Sequence, residues 1–461
     1  EQYQALTPAD IEAAIKKYYL PKNRVIFYGV PLGEKSKIQE SGEEIVKTDI
    51  TKIELPQNTT LLHKQNTQAP IIDGALFIPV SAKYETIDNV GLIDFMATLM
   101  LKGGSPKYKA IDLSSWLEGH AATLYPLSGN EGTTIYFKCI KDDLPTMIDM
   151  ITDLMNNPVF DENELVLMKK YQEASFQRSI SDPETAHTDF RNSVLYPNQK
   201  SGISEAQKND IIQNITRDDL ITLHKNYFNA DRAIITLIGD ITLDEAKEKA
   251  ILLRNKIPNK SIKGELTSLV VPDTVAEYIN EYQFEPCNVN INYKAPDRNS
   301  PDFYTMKVIE LLLGYSGKRL HKATRQDDNL AYFAYAQYVG DSDYGFFRLI
   351  SQTSAPNKDR LLTVLKSEIE RLKNGDVTQE DIDAAVSSYE SQIKSYFTDD
   401  KLASTITHYE STGQGYNFML DSVNDMMKIT PEMIKEAANK YFAKGITIIS
   451  LPSEDVELKL E

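Results

Sequence analysis

The chain has 461 residues, of which 41% are hydrophobic, and its formal net charge is −17. Length alone predicts about three domains of roughly 150 residues each. The strong acidity argues against nucleic acid or an anionic membrane surface as the main partner. Only two cysteines are present, Cys139 and Cys287, so no disulfide framework is expected. The sequence has no apolar run long enough to span a membrane, and no signal-peptide pattern at its start.

The chain opens on a phrase that returns twice. Residues 6–19 read LTPADIEAAIKKYY, and the same pattern recurs at 215–228 and 429–442. In each copy a threonine caps a predicted helix, apolar residues follow at helical spacing, and an aromatic pair ends the helix. A turn and a β-rich run come next, as at 24–30. Copies about 210 residues apart are too widely spaced for a solenoid and indicate duplicated domains.

The first complete unit starts near Asn58, after a polar stretch at 31–49 that is typical of a linker. We predict its elements in chain order: strands at 59–65 and 71–80, helices at about 88–102 and 109–123, a strand at 132–140, helices at 142–160 and about 161–180, and the closing helix and strand at 215–240.

A second linker at 256–273 leads into a unit with the same order. We predict strands at 277–284 and 288–296, a helix at 304–314 that continues over 317–326, strands at 330–339 and 345–354, a helical pair at 358–392, and the closing helix and strand from 429. The match between the helical pairs of the two units adds weight to the duplication.

The fold class predicted from this order is α+β. Strands and helices do not alternate strictly, which favours a mostly antiparallel sheet with helices on one face in each of two tandem homologous domains. We place these domains at 58–257 and 258–461, preceded at 1–57 by a helix–strand stub of an earlier domain and a linker. A dinucleotide-binding fold is excluded because no G-x-G-x-x-G sequence follows a predicted strand.

With these features, the chain resembles the insulinase family of zinc peptidases, which includes pitrilysin and the mitochondrial processing peptidase. The resemblance covers essentially the whole chain and rests on the duplicated units, the DDLP…MITDLMNNPVF helix and the closing phrase. It implies an inverted zinc motif, H-x-x-E-H, on the helix after the second strand, with a distal Glu as third ligand and the motif Glu as general base. Such a site needs neutral imidazoles and an open position for water, whose pKa falls to about 7.

The motif positions in this chain do not hold those residues. They are Asp94, Phe95, Met96, Ala97 and Thr98, so both histidines are absent and an alanine stands where the general base belongs. The distal Glu position falls at or near Ser175, and Glu173 lies two residues away. We therefore expect no zinc site in the first unit and no metal bound by this chain. Its six histidines are at least 37 residues apart, so none form a helical ligand pair.

A second pattern of the family is retained. In the second unit the resemblance implies an Arg and, seven residues later, a Tyr that face the zinc site, and these positions are Arg325 and Tyr332. It implies that the Tyr hydroxyl stabilises the scissile carbonyl as it becomes an oxyanion and that the Arg grips substrate backbone. The residues alone allow a structural interpretation: an Arg near a helix C-terminus is favoured by the helix dipole, and Tyr332 lies in an aromatic-rich strand.

The resemblance thus implies that this chain is the zinc-free C-terminal half of a peptidase, active only with a metal-bearing half. The first phrase would then be the last helix of a preceding domain. Two alternatives stay open: a separately encoded subunit that pairs with a zinc-bearing partner, and an inactive scaffold or peptide-binding subunit.

The expected partners are the N-terminal zinc-bearing half and peptide substrates, with zinc held by that half. The resemblance to large bacterial members suggests a periplasmic or other extracytoplasmic location. Peptides in this family are thought to pair with an exposed sheet edge, and the candidate edges are the strands at 330–339 and 74–80.

Overall fold

The computed structural model describes residues 49–228, 230–259, 262, 264–314, 318–326 and 329–453, together with residues 7, 13, 16 and 17. The chain divides into two compact units, residues 1–47 and 48–461, and every element named below belongs to the second. Ala13, Lys16 and Lys17 are helical. The rest of the first copy of the repeated phrase, and the strand predicted at 24–30, lie outside the described residues.

The first half of the described chain builds a six-stranded sheet. Its strands are β1 Thr51–Leu55, β2 Thr59–Gln65, β3 Ile71–Ile78, β4 Thr123–Ser128, β5 Thr133–Ile140 and β6 Ala233–Gly239. Their order is β1-β2-β6-β3-β5-β4. The β2–β6 pair is parallel, and the other pairs are antiparallel. Strand β1 lies in the segment assigned above to the linker, and it pairs with β2 along its whole length.

Helices connect these strands. They are α1 Leu92–Lys102, α2 Ala110–Gly119, α3 Leu144–Asn156, α4 Glu162–Ser179, α5 Pro183–Leu195, α6 Glu205–Asn214, α7 Arg217–Tyr227 and α8 Leu243–Asn255. Helices α1, α3, α7 and α8 supply buried side chains to one core beneath the sheet.

The second half builds a five-stranded sheet among the described residues. Its strands are β7 Ala276–Tyr282, β8 Cys287–Lys294, β9 Ala331–Gly340, β10 Gly345–Thr353 and β11 Gly445–Pro452, in the order β7-β11-β8-β10-β9. Its helices are α9 Phe303–Leu313, a short turn α10 Arg319–His321, α11 Lys358–Lys373, α12 Gln379–Ile393, α13 Asp399–Ser411, α14 Phe418–Met426 and α15 Pro431–Tyr441.

The two sheets have the same strand order once β1 is set aside. Strands β2, β6, β3, β5 and β4 occupy the positions of β7, β11, β8, β10 and β9, and the single parallel pair of each sheet falls at the same place. The closing phrase forms α7 with β6 and α15 with β11. Its threonines cap as predicted: the Thr216 hydroxyl accepts from the Asp219 N–H and the Thr430 hydroxyl from the Met433 N–H. The fold is thus mixed helix and sheet with two mostly antiparallel sheets, as predicted.

Each sheet also receives one helix from the other half. We call the face opposite a sheet's own helices its outer face. Helix α13 covers the outer face of the first sheet, where Leu402 and Ile406 are fully buried against β2, β3 and β6. Helix α5 covers the outer face of the second sheet, against β7, β8 and β11. The two halves therefore exchange helices.

A buried ion cluster also joins the two halves. The ammonium of Lys83, which precedes α1, lies 2.9 Å from an Asp341 carboxylate oxygen and 2.7 Å from one of Asp343, both in the β9–β10 turn. Asn130, in the β4–β5 turn, donates to the second Asp341 oxygen at 2.9 Å. The turns at the ends of β4 and β9 therefore meet.

Candidate functional site

Helix α1 carries the positions of the zinc motif. It begins after Gly91, whose φ of 85° is a left-handed conformation that glycine adopts at little cost. Asp94 is exposed and accepts a hydrogen bond from the Ser128 N–H at 3.1 Å, which ties the helix to the end of β4. Met96 and Ala97 are fully buried in the core, and Thr98 is half-buried. One carboxylate and a buried methyl group do not fit zinc, which takes imidazole, thiolate and carboxylate ligands.

The distal-ligand position lies on α4. Ser175 is exposed there, and no hydrogen bond joins it to α1 among the described residues. Glu173 accepts hydrogen bonds from Gln177 and from Asn209 of α6, both at 2.8 Å. These bonds hold the pKa of the Glu173 carboxyl below its usual range. Because its oxygens are committed to α4 and α6, Glu173 does not replace the distal ligand.

The histidines lie in separate places. His63 contacts the Ile241 carbonyl, His120 the Asp143 carboxylate and His224 the Met155 carbonyl. Within the described ranges no three His, Cys, Asp or Glu side chains come together as a metal site would require. The side chains of this part of the chain therefore do not fit the zinc that the family resemblance implies.

Arg325 and Tyr332 lie side by side. Arg325 belongs to a π-helical turn, Lys322–Gln326, that follows α10, and Tyr332 is the second residue of β9. The Arg325 guanidinium donates through Nη1 to the Tyr332 carbonyl oxygen at 2.5 Å. Arg325 is exposed, and Tyr332 is 55% exposed. The turn thus holds the Arg beside the Tyr while both side chains stay available.

A β-bulge sets the direction of Tyr332. Across β9 and β10, Phe333 pairs with Gln352 and Ala331 with Thr353, so Tyr332 has no partner residue. Ala331 and Ala334 belong to the core beneath the second sheet, and Tyr332 does not. Strand β9 is also an edge of its sheet. Bulges at sheet edges re-aim side chains, and this one leaves the Tyr332 side chain exposed at the end of the sheet.

The turn itself is fixed by buried side chains. Thr324 is fully buried, its hydroxyl donates to the Leu320 carbonyl at 2.7 Å, and its carbonyl accepts from the Leu330 N–H at 2.6 Å. The buried Thr353 hydroxyl donates to the Leu330 carbonyl. Asn329 has a φ of 49°, a region that Asn tolerates better than most residues. These contacts anchor both ends of the segment that presents Arg325 and Tyr332.

Of the two strands predicted as candidate sheet edges, one lies at the edge of its sheet and the other does not. The strand predicted at 330–339 is β9, which ends its sheet. The strand containing 74–80 is β3, which pairs with β5 on one side and β6 on the other. It is central and offers no edge to a peptide.

The sequence analysis did not predict β4, the strand that ends the first sheet at the position β9 holds in the second. Its burial alternates along the strand, and Tyr125 and Leu127 are 53% and 60% exposed. The signal was present in the alternating TLYPLS sequence, and Pro126 is compatible with it because proline is tolerated in sheets chiefly at edges.

Two family models match the sequence. Residues 60–207 match the insulinase family, peptidase family M16, and residues 214–389 match the peptidase M16 inactive domain. The second match contains Arg325 and Tyr332.

Curated relatives agree with these matches. The chain is 21% identical over 310 residues to the uncharacterized zinc protease YmxG of Bacillus subtilis, covering 67% of this chain and 75% of that protein. It is 22% identical over 317 residues to the β subunit of the mitochondrial processing peptidase of Neurospora crassa. That match covers 67% of this chain and only 65% of the subunit.

Solved structures show the same fold. A peptidase M16 inactive domain from Pseudomonas fluorescens superposes with a TM-score of 0.77 at 18% identity, covering 88% of this chain and 98% of that one. The periplasmic protease PqqL from Escherichia coli superposes with a TM-score of 0.74 at 15% identity. This chain is covered to 98% and spans 51% of PqqL. From these matches together, the chain belongs to the insulinase family of peptidases, family M16.

Proposed function

We propose that this chain is the zinc-free C-terminal half of an insulinase-family metalloendopeptidase. It would act with a zinc-bearing half, in the same polypeptide or as a partner chain, on peptide substrates. The observation that carries the proposal is the contact between Arg325 and Tyr332 on the bulged edge strand β9. The 51% share of PqqL that this chain spans supports it.

The division of labour follows from the residues. The zinc-bearing half would supply the metal's Lewis acidity and an activated water. In this chain the Tyr332 hydroxyl donates a hydrogen bond to the scissile carbonyl oxygen as negative charge develops on it. One guanidinium N–H of Arg325 stays bonded to the Tyr332 carbonyl oxygen, and other N–H groups of the same guanidinium hold the substrate backbone.

Exposure explains why two halves are needed. One such donor is worth about 3–4 kcal/mol of transition-state stabilisation in a dry, preorganised site. Tyr332 in this chain is 55% exposed, and water competes for its hydroxyl. A second half closing over β9 excludes that water and places a peptide against the edge strand.

The domain assignment is part of the proposal. We place peptidase-like domains at 58–257 and 258–461, with residues 1–57 as the end of a preceding domain and a linker; the β1–β2 pairing joins Thr51–Leu55 to the first of these domains. The degenerate positions Asp94, Ala97, Thr98 and Ser175 mark the first domain as the one that lost its metal site. An extracytoplasmic location is proposed with it.

Two measurements test this proposal. If the zinc-bearing half belongs to the same polypeptide, about 400 codons upstream of residue 1 encode it, with an H-x-x-E-H helix and a distal Glu. Peptide hydrolysis should require both halves, with negligible cleavage by this chain alone. Efficient cleavage by this chain alone would overturn the proposal.

A second candidate is an inactive scaffold or peptide-binding subunit. It is favoured by the match of residues 214–389 to a domain described as inactive. In that case an extended peptide would bind at β9 without being cleaved, and Arg325 would only stabilise the turn that precedes β9. A reading frame whose upstream motif is also degraded would select this candidate.

A further inference from the structure

The contact between α5 and the outer face of the second sheet contains buried amide side chains. Where α13 crosses the first sheet, the buried side chains are mostly Ile, Leu, Ala and Phe, with the hydroxyl pair of Thr236 and Thr407 among them. Where α5 crosses the second, a small apolar cluster lies beside Asn288, Asn290 and Asn292 of β8, all nearly inaccessible to solvent. Exchange of helices does not itself require three buried amides, so their presence needs another explanation.

Two arginines meet in this contact. Arg191 of α5 is 7% exposed. It donates to the side-chain oxygens of Asn290 at 3.0 Å and of its neighbour Asn192 at 3.1 Å. Arg348 of β10 donates to the Tyr196 hydroxyl at 3.4 Å, and its buried Nε has no partner. Among the described residues, neither guanidinium forms an ion pair with a carboxylate.

The two guanidinium groups lie near each other: Arg191 donates to Asn290, and Arg348 lies opposite Asn292, two residues further along β8. Burial, and next the positive charge of Arg348, lower the pKa of Arg191 to about 9. Arg191 is therefore still charged near neutral pH, in a poorly hydrated space beside the half-buried Arg348. Such a charge is costly unless an opposite charge compensates it.

Arg298, which is also little exposed, pairs with the carboxylate of Glu131. Arg191 and Arg348 have no carboxylate within ion-pair distance among the described residues, and Glu184 of α5 acts on Arg191 only at longer range. The guanidinium of Arg348 lies 3.8 Å from the centre of the Phe346 ring, and its buried Nε has no acceptor.

We propose that Arg191 and Arg348 form a binding site for a small oxyanion, of which a carboxylate is the type, between α5 and the outer face of the second sheet. Arg348 lies between Asn292 and Gln337 in one cross-strand row. Gln337 is half-buried on the edge strand β9, so this row of side chains runs from the site to the last strand of the sheet.

Two acceptors complete the surroundings. Ser450 donates its single hydroxyl proton to Asn280, so the His187 Nδ1 must donate to Ser450, at 2.7 Å. Nε2 of His187 is then a bare acceptor, and the Asn292 side-chain oxygen is another without a partner. Each suits an ordered water of the anion's hydration shell. The competing explanation is a layer of waters with no anion.

The oxyanion has two sources: a free small anion, or the C-terminal carboxylate of a bound peptide. The peptide source rests on the proposed function, but the site does not. Calorimetric titrations at constant ionic strength with inorganic phosphate, with acetate, and with an extended peptide bearing a free or an amidated C-terminus separate them. Binding of phosphate or acetate supports a free anion. Binding of the free-acid peptide alone supports the peptide carboxylate.

Matched variants locate the site. We expect Arg191→Met and Arg348→Met to weaken binding by about tenfold or more, and Arg348→Lys, the milder change, to weaken it by a smaller factor. Arg178→Met, at an exposed position of α4, should leave it unchanged. Crystals soaked in selenate should show anomalous scattering between the two guanidinium groups.

The proposal is overturned if wild-type protein binds neither small anion nor free-acid peptide. It is also overturned if the free and amidated peptides bind equally well and no small anion binds, or if Arg178→Met weakens binding as much as Arg191→Met. None of these readouts depends on peptide cleavage. Evidence against the proposed peptidase role would therefore not argue against the oxyanion site, and evidence against the site would not argue against that role.

Discussion

At the scale of single residues, Lys83 joins the two halves through three polar contacts. Its ammonium contacts Asp341, Asp343 and the Ser342 hydroxyl. Lys83→Met removes the cation of Asp343 and the nearer cation of Asp341, which keeps Arg298 at 3.5 Å. We expect a loss of about 2–3 kcal/mol in the free energy of unfolding, less than for a fully buried pair, because Asp343 is partly exposed and Asp341 keeps one cation. Chemical denaturation measures it, with Lys102→Met, exposed at the end of α1, as the control.

The same cluster predicts a pH dependence. Burial alone would raise the pKa of Asp341, but hydrogen bonds from Lys83 and Asn130 outweigh it and hold that pKa well below its usual range. A carboxyl whose folded pKa is depressed adds stability above its unfolded pKa, about 3.9, and loses it as the pH falls toward the folded value.

The difference in stability between wild type and Lys83→Met should therefore be constant from about pH 5 to 8 and shrink below about pH 4. Urea titrations of both proteins across this range measure it. A difference that persists unchanged at pH 3 would show that Asp341 does not depend on Lys83 for its ionisation.

At the scale of elements, α13 is attached to the first sheet by a buried hydroxyl pair. Thr407 donates its one hydroxyl proton to the Ala403 carbonyl at 2.6 Å. The Thr236–Thr407 hydrogen bond, also 2.6 Å, is therefore donated by Thr236 of β6. The direction of this bond fixes which partner suffers when the other is removed.

Thr407→Val should cost about 1–3 kcal/mol, because it leaves the Thr236 hydroxyl buried without an acceptor. Thr236→Val should cost less, since Thr407 keeps its bond to Ala403. The double variant should be more stable than Thr407→Val alone. Equal losses in the two single variants, with additive effects in the double, would contradict this direction.

Elements with strong periodicity or clear caps were predictable, and those defined by context were not. The all-buried β6 and the capped α7 and α15 stood out in the sequence. Strand β4 was missed: the helix before it was predicted to reach residue 123, but it ends at Gly119 and the strand begins at Thr123. Helices α5 and α13 were not placed, because their apolar faces pack on the sheet of the other half, a partner that local pattern cannot reveal.

The candidate functional site was likewise only partly predictable from the sequence. The family resemblance pointed to Arg325 and Tyr332, and the turn between α10 and β9 brings them into contact. The bulge that leaves Tyr332 unpaired depends on the register with β10, which a single sequence does not specify. Arg191 and Arg348 are 157 residues apart and meet only because α5 crosses to the second sheet.

At the scale of the whole molecule, helix exchange couples the two halves. Leu402, in the second half of the sequence, is fully buried on the first sheet. Leu402→Ala should lower the free energy of unfolding by about 2–5 kcal/mol. Residues 48–461 should still unfold in one cooperative transition, at a lower midpoint temperature. Calorimetry and hydrogen exchange should detect protection lost in both sheets. A new transition confined to the first sheet would show that the halves unfold separately.

We propose that this chain contributes Tyr332 to a peptidase site that a zinc-bearing half completes. The turnover number for peptide hydrolysis by the joined halves carrying Tyr332→Phe tests this role. Tyr171→Phe, 63% exposed on α4, is the matched control. We predict that Tyr332→Phe lowers kcat by more than about tenfold, with KM little changed, because the lost donor acts mainly in the transition state. Wild-type turnover by both variants, with folding intact, would contradict the account.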